Sequence, residues 1–553
     1  MNNQNFLNNQ KAILILAGKV NLTNYNFKSH EYLFNIGNTL VFQKIIKELD
    51  IDKNTKIYIA ISKLNNIFTK FIPFQNVNFI EVGNTNSVLD SISEALKKIP
   101  EKIISINPIT TIPDSSEINN KTCYFGSKKI PKENWSAIIK KDNKYNFLYK
   151  NDKNSYGLIS YPFTGRLVAE KSHLEYCLEN IKKINKLDIL SVVEILIKKY
   201  NYKIIFEKWF DIGHEATYID SKINSMTSRF FNNIIFLEES NSIIKLSSDL
   251  QKIRGEYFFY KNLNKKLKNF FPFIFSENKL DDNFNSIEME FIPYPNLAEI
   301  FLFRNIGPNS WIRIISSIKK IYKSFYSDNN YKIVKNASWL YSSKLKSRFN
   351  KTVNFIEESN NLTLKKLLHD GLYVNKNFKT GSLYEIYNKL TKDLINYEKQ
   401  IKHYVGHGDL CFNNILVDHK SGCIKLIDPK AYSDKQENII GLMDSNYDLA
   451  KLYHSYKYLY DSVVNNLYSI EIIDSKLELF IYAPKEYELV NLLFKDILVG
   501  KNINENILRI LTANLFISML PLHVDDENRF LCLAILGSIV FNNIDLSKFI
   551  IQT

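Results

Sequence analysis

The stretch His407-Gly408-Asp409-Leu410-Cys411-Phe412-Asn413-Asn414 spaces a histidine, a carboxylate and an amide as H-x-D-x-x-x-x-N. An apolar segment, Ile415-Leu416-Val417, follows it. A short polar turn then leads to a second apolar strand and to Ile427-Asp428-Pro429. Phosphoryl transfer from ATP needs such parts: one carboxylate to orient an acceptor hydroxyl and take its proton, and an amide oxygen plus a second carboxylate to hold Mg2+ against the phosphates. Asp409, Asn414 and Asp428 fit those roles in that order. The elements around them must then hold them in register.

Upstream, Ile234–Leu237 and Ile243–Leu246 are apolar runs joined by Glu238-Glu239-Ser240-Asn241, a pattern that predicts an antiparallel hairpin. A helix is expected from about Ser248 to Leu263, carrying Glu256. A strand lysine followed by a helix glutamate is the pairing in which Lys245 would reach ATP phosphates and Glu256 would position Lys245. The preceding turn, Ser228 to Asn233, has no glycine-rich pattern, and Ser228 or Asn232 would have to face the phosphates there. Ser286–Pro293 reads as a strand ending at proline, and a helix is expected to begin at Asn296. Trp311–Tyr326, Ser342–Glu358 and Leu383–His403 show helical apolar spacing, with a polar, irregular connection around Asp370–Gly381. The last hundred residues read as apolar helices, with Leu508–Leu522 and Phe530–Ile539 the clearest.

His407-Gly408-Asp409 with Asn414, Ile427-Asp428-Pro429 and Tyr447-Asp448-Leu449-Ala450-Lys451-Leu452 together resemble the aminoglycoside phosphotransferase and choline kinase superfamily, over about residues 225–553. The resemblance implies a bilobal protein-kinase-like fold, with a small lobe at 226–300 and a large lobe at 301–553. It implies Asp409 as catalytic base, Asn414 and Asp428 as Mg2+ ligands, His407 as a brace of the loop and Asp448 as its support from behind. The 286–293 strand matches the hinge between kinase lobes, so backbone groups at Glu290 and Ile292 would read adenine. Lys430 is either a contact to a phosphate or anionic acceptor or a solvated lysine. His454, Tyr456, Tyr460 and Asp461 are either acceptor-pocket or core residues.

The first 225 residues have a different character. Ala12–Gly18, Lys56–Ser62, Val77–Val82 and Lys102–Ile106 are strand-like, and they alternate with helical periods at Leu40–Leu49 and Ser87–Lys98. This spacing predicts an α/β domain with a mostly parallel sheet. Glu207-Lys208-Trp209-Phe210-Asp211-Ile212-Gly213-His214, with Tyr218 on a following helix, resembles the W-x-D-I-G segment of sugar-nucleotide pyrophosphorylases and related nucleotidyltransferases. Gly83–Leu89 is similar to their base-facing segment. The resemblance implies a Rossmann-like domain with Asp211 as a metal ligand. The glycine-rich loop of that family is reduced here to Leu16-Ala17-Gly18-Lys19, leaving one glycine and Lys19 as a phosphate-binding candidate. The family's Gly-Asp is replaced by Asn107-Pro108, and Asp114 is the nearest carboxylate. Both an active transferase and a domain that keeps the fold without the chemistry remain open.

Composition bounds the rest. A chain of 553 residues with 45% hydrophobic and 24% charged residues is expected to form two to four globular folding units. Its net charge of +14 is dispersed, without a basic run or a nucleic-acid-binding motif, so no nucleic-acid partner is expected. Five scattered cysteines without C-x-x-C spacing argue against zinc and against a disulfide framework. No signal-peptide pattern and no apolar run of membrane-spanning length are visible, so a cytoplasmic protein is expected. The two resemblances in series look like two-domain proteins of bacterial capsule and surface-polysaccharide biosynthesis. They imply a kinase using ATP and Mg2+ on a sugar, choline or other amino alcohol or polyol. A nucleotidyltransferase-like domain would then use a second NTP (CTP, UTP or GTP) to convert the product to an NDP-sugar or CDP-alcohol. The alternative is a kinase with a degenerate, ligand-binding or scaffolding N-terminal domain. Assembly into a homo-oligomer is left open.

Overall fold

The computed structural model describes residues 11–18, 35–36, 39–49, 55–63, 76–113, 120–133, 135–141, 144–184, 188–213, 217–218, 221, 232–263, 265–280, 283–326, 331–335, 337–376, 378–430, 442–473, 476–499 and 504–552. The chain divides into two compact units, Met1–Ser225 and Met226–Thr553.

The first unit is built on β1 (Lys11–Leu16), α1 (Val41–Glu48), β2 (Lys56–Ile61), β3 (Val77–Glu81), α2 (Val88–Leu96) and β4 (Ile103–Pro108). After them come β5 (Thr111–Pro113), β6 (Thr122–Gly126), β7 (Ala137–Lys141), β8 (Lys144–Leu148), β9 (Ile159–Glu170), α3 (Lys171–Ile184), α4 (Ile189–Tyr200), β10 (Lys203–Glu207) and β11 (Trp209–Asp211). Strands β3, β2, β1 and β4 lie side by side and all pair in parallel. β9 adds antiparallel to β4, and β6 pairs antiparallel with β9 and parallel with β10. The result is an α/β unit with a mixed sheet around a parallel core. Ile13 and Ile15 of β1 are fully buried, as are Ile57 and Ile59 of β2, and alternate residues of both strands are also covered. Such near-continuous apolar runs are what burial of a sheet on both faces requires. Ser87 starts α2 by accepting the Asp90 N–H at 3.1 Å.

The second unit opens with β12 (Asn232–Leu237), β13 (Ser242–Ser247), α5 (Leu250–Asn262), β14 (Ile274–Leu280) and β15 (Asn283–Glu290). The four strands form one antiparallel sheet in the order β12-β13-β15-β14. Asp249 caps α5, which buries Ile253, Glu256, Phe259 and Tyr260. The remainder is mainly helical. It contains α6 (Leu297–Phe303), α7 (Gly307–Phe325), β16 (Tyr331–Lys335), α8 (Ser342–Glu358), α9 (Leu383–Tyr397), β17 (Gln400–Val405), β18 (Ile415–Asp418), β19 (Cys423–Leu426), β20 (Leu442–Asp444) and α10 (Ser445–Tyr456). It closes with α11 (Glu505–Met519) and α12 (Glu527–Phe541), both largely buried.

Three expectations need correction. The helix expected to run to His403 stops at Tyr397, because Gln400–Val405 forms a strand between β16 and β20. Its Ile401, His403 and Tyr404 are buried while Lys402 is exposed, so the short strand carries too little alternation to stand out from the longer helical window. The polar connection at Asp370–Gly381 holds a short ladder, Tyr373–Val374 with Phe378–Lys379. The last hundred residues are not all helical: Tyr468–Ile473 and Lys476–Ala483 pair as a hairpin. Among the described residues no helix is long and apolar enough to cross a membrane.

Candidate active site

The site in the second unit is assembled by one hairpin and what is fastened to it. β18 and β19 pair with Ile415 opposite Leu426, and the Ile427 N–H donates to the Asn414 carbonyl at 3.0 Å. This register puts Asn414 at the entrance of the hairpin and Asp428 just past its exit. The Asn414 side chain is oriented from the other direction, since its Nδ2 donates to the Asp409 carbonyl at 2.8 Å. Its Oδ1 therefore points away from the loop backbone. Gly408 has φ 76°, a conformation in which a side chain is strained, and a Cβ there would lie a tight 3.0 Å from the Lys430 Cβ and 3.1 Å from the Lys430 carbonyl. Asp428 has φ 54°, which costs an L-residue roughly 1–2 kcal/mol and turns its carboxylate out of the hairpin.

Lys245, in the central strand β13, joins this hairpin to α5. Its Nζ lies 2.9 and 2.7 Å from the two Glu256 carboxylate oxygens. It also donates to Asp428, 183 positions away in sequence. The Lys245 and Glu256 side chains are 5% and 2% exposed, while that of Asp428 is 49% exposed. Burial lowers the Lys245 pKa, but Glu256 and Asp428 outweigh it and hold the ammonium above its usual range. Burial, with Asp428 nearby, pushes the Glu256 carboxyl up against the opposing pull of Lys245.

The loop itself is braced by His407 and Asp448. The His407 Nδ1 accepts the Asp409 N–H at 3.2 Å, so that nitrogen carries no proton. Its Nε2 then donates to the Ile427 carbonyl at 3.0 Å. Burial lowers its pKa, which agrees with a neutral ring of one tautomer. Asp448, on α10, accepts the His407 N–H at 2.9 Å, the Leu410 N–H at 3.3 Å and the Tyr326 hydroxyl. It is fully buried and touches the back of the loop.

Asp409 is held in its ionised form. Burial would raise its pKa, but Lys430 and Lys451 outweigh that and keep it well below the usual carboxylate range. Lys451 Nζ lies 2.9 Å from one carboxylate oxygen and Lys430 Nζ 3.6 Å from the other. An ionised carboxylate can accept a hydrogen bond from an incoming hydroxyl and afterwards its proton.

The surroundings of the remaining sequence candidates are these. The Glu290 N–H donates to the Phe273 carbonyl at 2.8 Å, and its carboxylate accepts the Phe273 N–H at 3.1 Å and meets Lys425 at 3.2 Å. Ile292 is buried in the connection that leads to α6. Asp461 lies below the loop, where its carboxylate accepts from Asn413 at 3.0 Å. His454 is fully buried and stacks on Tyr460 at 4.5 Å, and Tyr456 stacks on Phe494 at 4.4 Å, so both belong to the core. Lys451 and Lys344 were missed as site residues. Lys451 was legible: it follows Tyr447 by four and Asp448 by three on one helix, so all three share a face.

In the first unit, Asp211 ends β11, opposite Thr111 of β5. Its carboxylate accepts the Gly213 N–H at 3.1 Å and the Thr217 hydroxyl at 2.6 Å. Asn107, standing where a carboxylate was sought, donates to the carbonyls of Pro108 and Thr111 at 2.8 and 2.9 Å. The sequence did not single out the fully buried ion pair of Arg166 with Glu207 at 2.6 Å. Lys19, Asp114, His214 and Ser228 lie outside the described residues. Among the described residues no group of three or more His, Cys, Asp or Glu side chains gathers as a metal centre.

No protein-family model matches the chain. The N-terminal region is similar to solved sugar-nucleotidyltransferases. A structure assigned to a glucose-1-phosphate thymidylyltransferase from Bacillus anthracis matches 40% of this chain and 97% of its own, at 15% identity and TM-score 0.32. A UDP-glucose pyrophosphorylase complexed with UDP-glucose matches 38% and 97%, at 11% identity and TM-score 0.32. The 4-diphosphocytidyl-2C-methyl-D-erythritol synthase from Anaerococcus prevotii matches 39% and 98%, at 14% identity and TM-score 0.28.

Proposed function

We propose that the second unit is an ATP- and Mg2+-dependent kinase of small hydroxylated molecules, of the aminoglycoside phosphotransferase and choline kinase type. The observation that carries this reading is the bridging of Glu256 and Asp428 by Lys245, beside a loop that presents Asp409 and Asn414. In such an enzyme Lys245 leaves Asp428 for the nucleotide phosphates, and Glu256 keeps it oriented. The acceptor oxygen attacks the γ-phosphorus, the bond to the β-phosphate oxygen breaks, and ADP leaves. Asp409 takes the hydroxyl proton. Asn414 Oδ1 and the half-exposed Asp428 carboxylate are hard oxygen donors on one hairpin, and they fit Mg2+ shared with phosphate oxygens. That ion, when bound, neutralises charge on the transferring group. The backbone about Glu290 and Ile292 is assigned to adenine.

The companion proposal is that the first unit takes the phosphorylated product to an NDP-sugar or CDP-alcohol for a bacterial surface glycan, with Asp211 at its metal. A second reading, in which this unit only binds a ligand or scaffolds the kinase, is favoured by one observation. Asp211 already serves as acceptor for Gly213 and Thr217, and its expected carboxylate partner is Asn107. Both readings are tested on the full-length protein with ATP, Mg2+ and a panel of sugars and amino alcohols. ADP and phosphorylated product are followed by mass, and pyrophosphate release is then followed on addition of CTP, UTP or GTP. Loss of phosphorylation in Asp409→Asn supports the kinase; unchanged turnover in that variant refutes it. Pyrophosphate release that depends on Asp211 selects the two-step enzyme over the scaffold.

A further inference from the structure

Three lysines from three different elements bear on Tyr447, and two of them reach Asp409. Lys451 comes from α10 and Lys430 from the segment after Asp428, and both reach the Asp409 carboxylate. Lys344 comes from the first turn of α8 and donates to the Tyr447 hydroxyl at 3.1 Å, its Nζ standing 5.3 Å from the centre of that ring. Tyr447 is itself buried. All three lysines bear on the Tyr447 phenol: burial raises its pKa, but Lys344, Lys430 and Lys451 outweigh this and bring it down to about 7.

The nearby carboxylates do not balance these charges. Asp448 is committed to the loop. Asp444 accepts the Tyr341 and Tyr397 hydroxyls at 2.5 and 2.6 Å. Asp461 accepts from Asn413, and burial pushes it up to about 7. Among the described residues Asp409 alone pairs with lysines of this group, and it pairs with two. The groups that weigh on Lys344, after burial, are Tyr447, Lys430 and Arg348, and burial brings it to about 8. Among the described residues no carboxylate pairs with it. The side chains are not sealed off: Lys430 is 39% and Lys451 13% exposed, and Lys344 is half-buried.

We propose that the acceptor carries an anionic group, phosphate or carboxylate, next to the hydroxyl that is phosphorylated, and that Lys344 and Lys430 receive it. This rests on the kinase reading of Asp409. Within it, the acceptor class narrows. A quaternary or primary ammonium such as choline or ethanolamine would meet like charge, which disfavours binding, whereas a sugar phosphate, sugar acid or polyol phosphate would be drawn in. Lys451, in direct contact with Asp409, is a positioning residue for that carboxylate. Among the described residues Lys344 hydrogen-bonds Tyr447 and neither Asp409 nor Asp428, so it separates an acceptor site from general stabilisation of the transferring phosphate.

The test uses the full-length protein loaded with Mg-AMPPNP and titrated calorimetrically with four probes: glycerol 3-phosphate, D-glycerate, glycerol and choline. Turnover with ATP is followed in parallel on glucose 6-phosphate, glucuronate, glucose and choline. The expected result is that an acidic probe binds at least roughly tenfold tighter than glycerol or choline, and that Lys344→Met removes the difference while Lys344→Arg retains it. Which acid binds better distinguishes phosphate from carboxylate. For any acidic compound turned over, Lys344→Met should raise KM much more than it lowers kcat. Choline binding as well as the acids, glycerol binding as well as the acids, or an unchanged preference in Lys344→Met each overturns the proposal. Failure of Mg-AMPPNP to bind is seen before any probe is added and overturns the kinase reading itself.

Discussion

Lys245→Met removes the buried ammonium that is hydrogen-bonded to both Glu256 and Asp428. Asp428 is half-exposed and can turn to solvent, but Glu256 is 2% exposed and has nowhere to go. Removing one partner of a buried pair costs about 3–5 kcal/mol, because the other charge is left uncompensated. The cost should depend on pH. The folded-state pKa of Glu256 already lies above its usual value, from burial first and Asp428 second, and loss of Lys245 removes the main opposing force. A raised carboxyl binds its proton more tightly folded than unfolded, so the folded state is favoured at low pH and loses stability as pH rises through the raised pKa. The variant should therefore be nearly wild-type in stability at about pH 5 and reach the full penalty of ~3–5 kcal/mol above pH 8. With a chain of two units the relevant transition is the one shifted by Mg-AMPPNP, followed in urea at both pH values. Lys245→Met/Glu256→Leu should recover most of the lost stability at high pH and none of the kinase activity. A Lys245→Met penalty below about 1 kcal/mol that is equal at both pH values would refute the reasoning, since that is the behaviour of a surface pair.

Asp409→Asn should lower kcat by about 10²–10⁴-fold, the contribution of a positioned general base, with an unchanged far-ultraviolet circular dichroism spectrum. Asp448→Ala strands the N–H groups of His407 and Leu410 in a buried site and should cost ~2–5 kcal/mol in urea unfolding while lowering kcat more than it raises the KM for ATP. His403 is buried, neither ring nitrogen has a hydrogen-bond partner among the described residues, and burial lowers its pKa to about 4. The unfolded chain therefore binds the extra proton between about pH 6.5 and 4, and stability is lost as pH falls through that window. His403→Phe should abolish up to ~3 kcal/mol of that acid-side loss, measured as the difference in unfolding free energy between pH 7 and pH 4.5.

Where period and chemistry agree, the chain could be read directly. The apolar runs of β1 and β2 are continuous because the sheet is buried on both faces there. Lys245 and Glu256 were legible because a strand followed by a capped helix leaves few ways to bring a lysine and a glutamate together. His407, Asp409, Asn414 and Asp428 follow from a loop and a hairpin whose spacing is local. Lys344 could not be found in this way. It meets Tyr447 across a gap of 103 positions, and nothing about a lysine in the first turn of a helix marks its neighbour. Arg166 and Glu207 failed for the same reason, since each looks like a surface charge until the sheet closes over it. The strand at Gln400–Val405 was lost because it is only six residues long and abuts a helix with a strong pattern of its own. In the first unit the local acceptor role of Asp211, toward the Gly213 N–H and the Thr217 hydroxyl, could not be read from the W-x-D-I-G spacing.

The pinned ring of His407 also makes the loop observable. One ring nitrogen accepts from the Asp409 amide and the other donates to the Ile427 carbonyl, so the imidazole carries a single, sheltered proton that joins the loop to the hairpin. In a ¹⁵N spectrum that proton should appear as a downfield, slowly exchanging signal with an Nε2–H tautomer signature. Its exchange rate would report the opening of the loop from the hairpin.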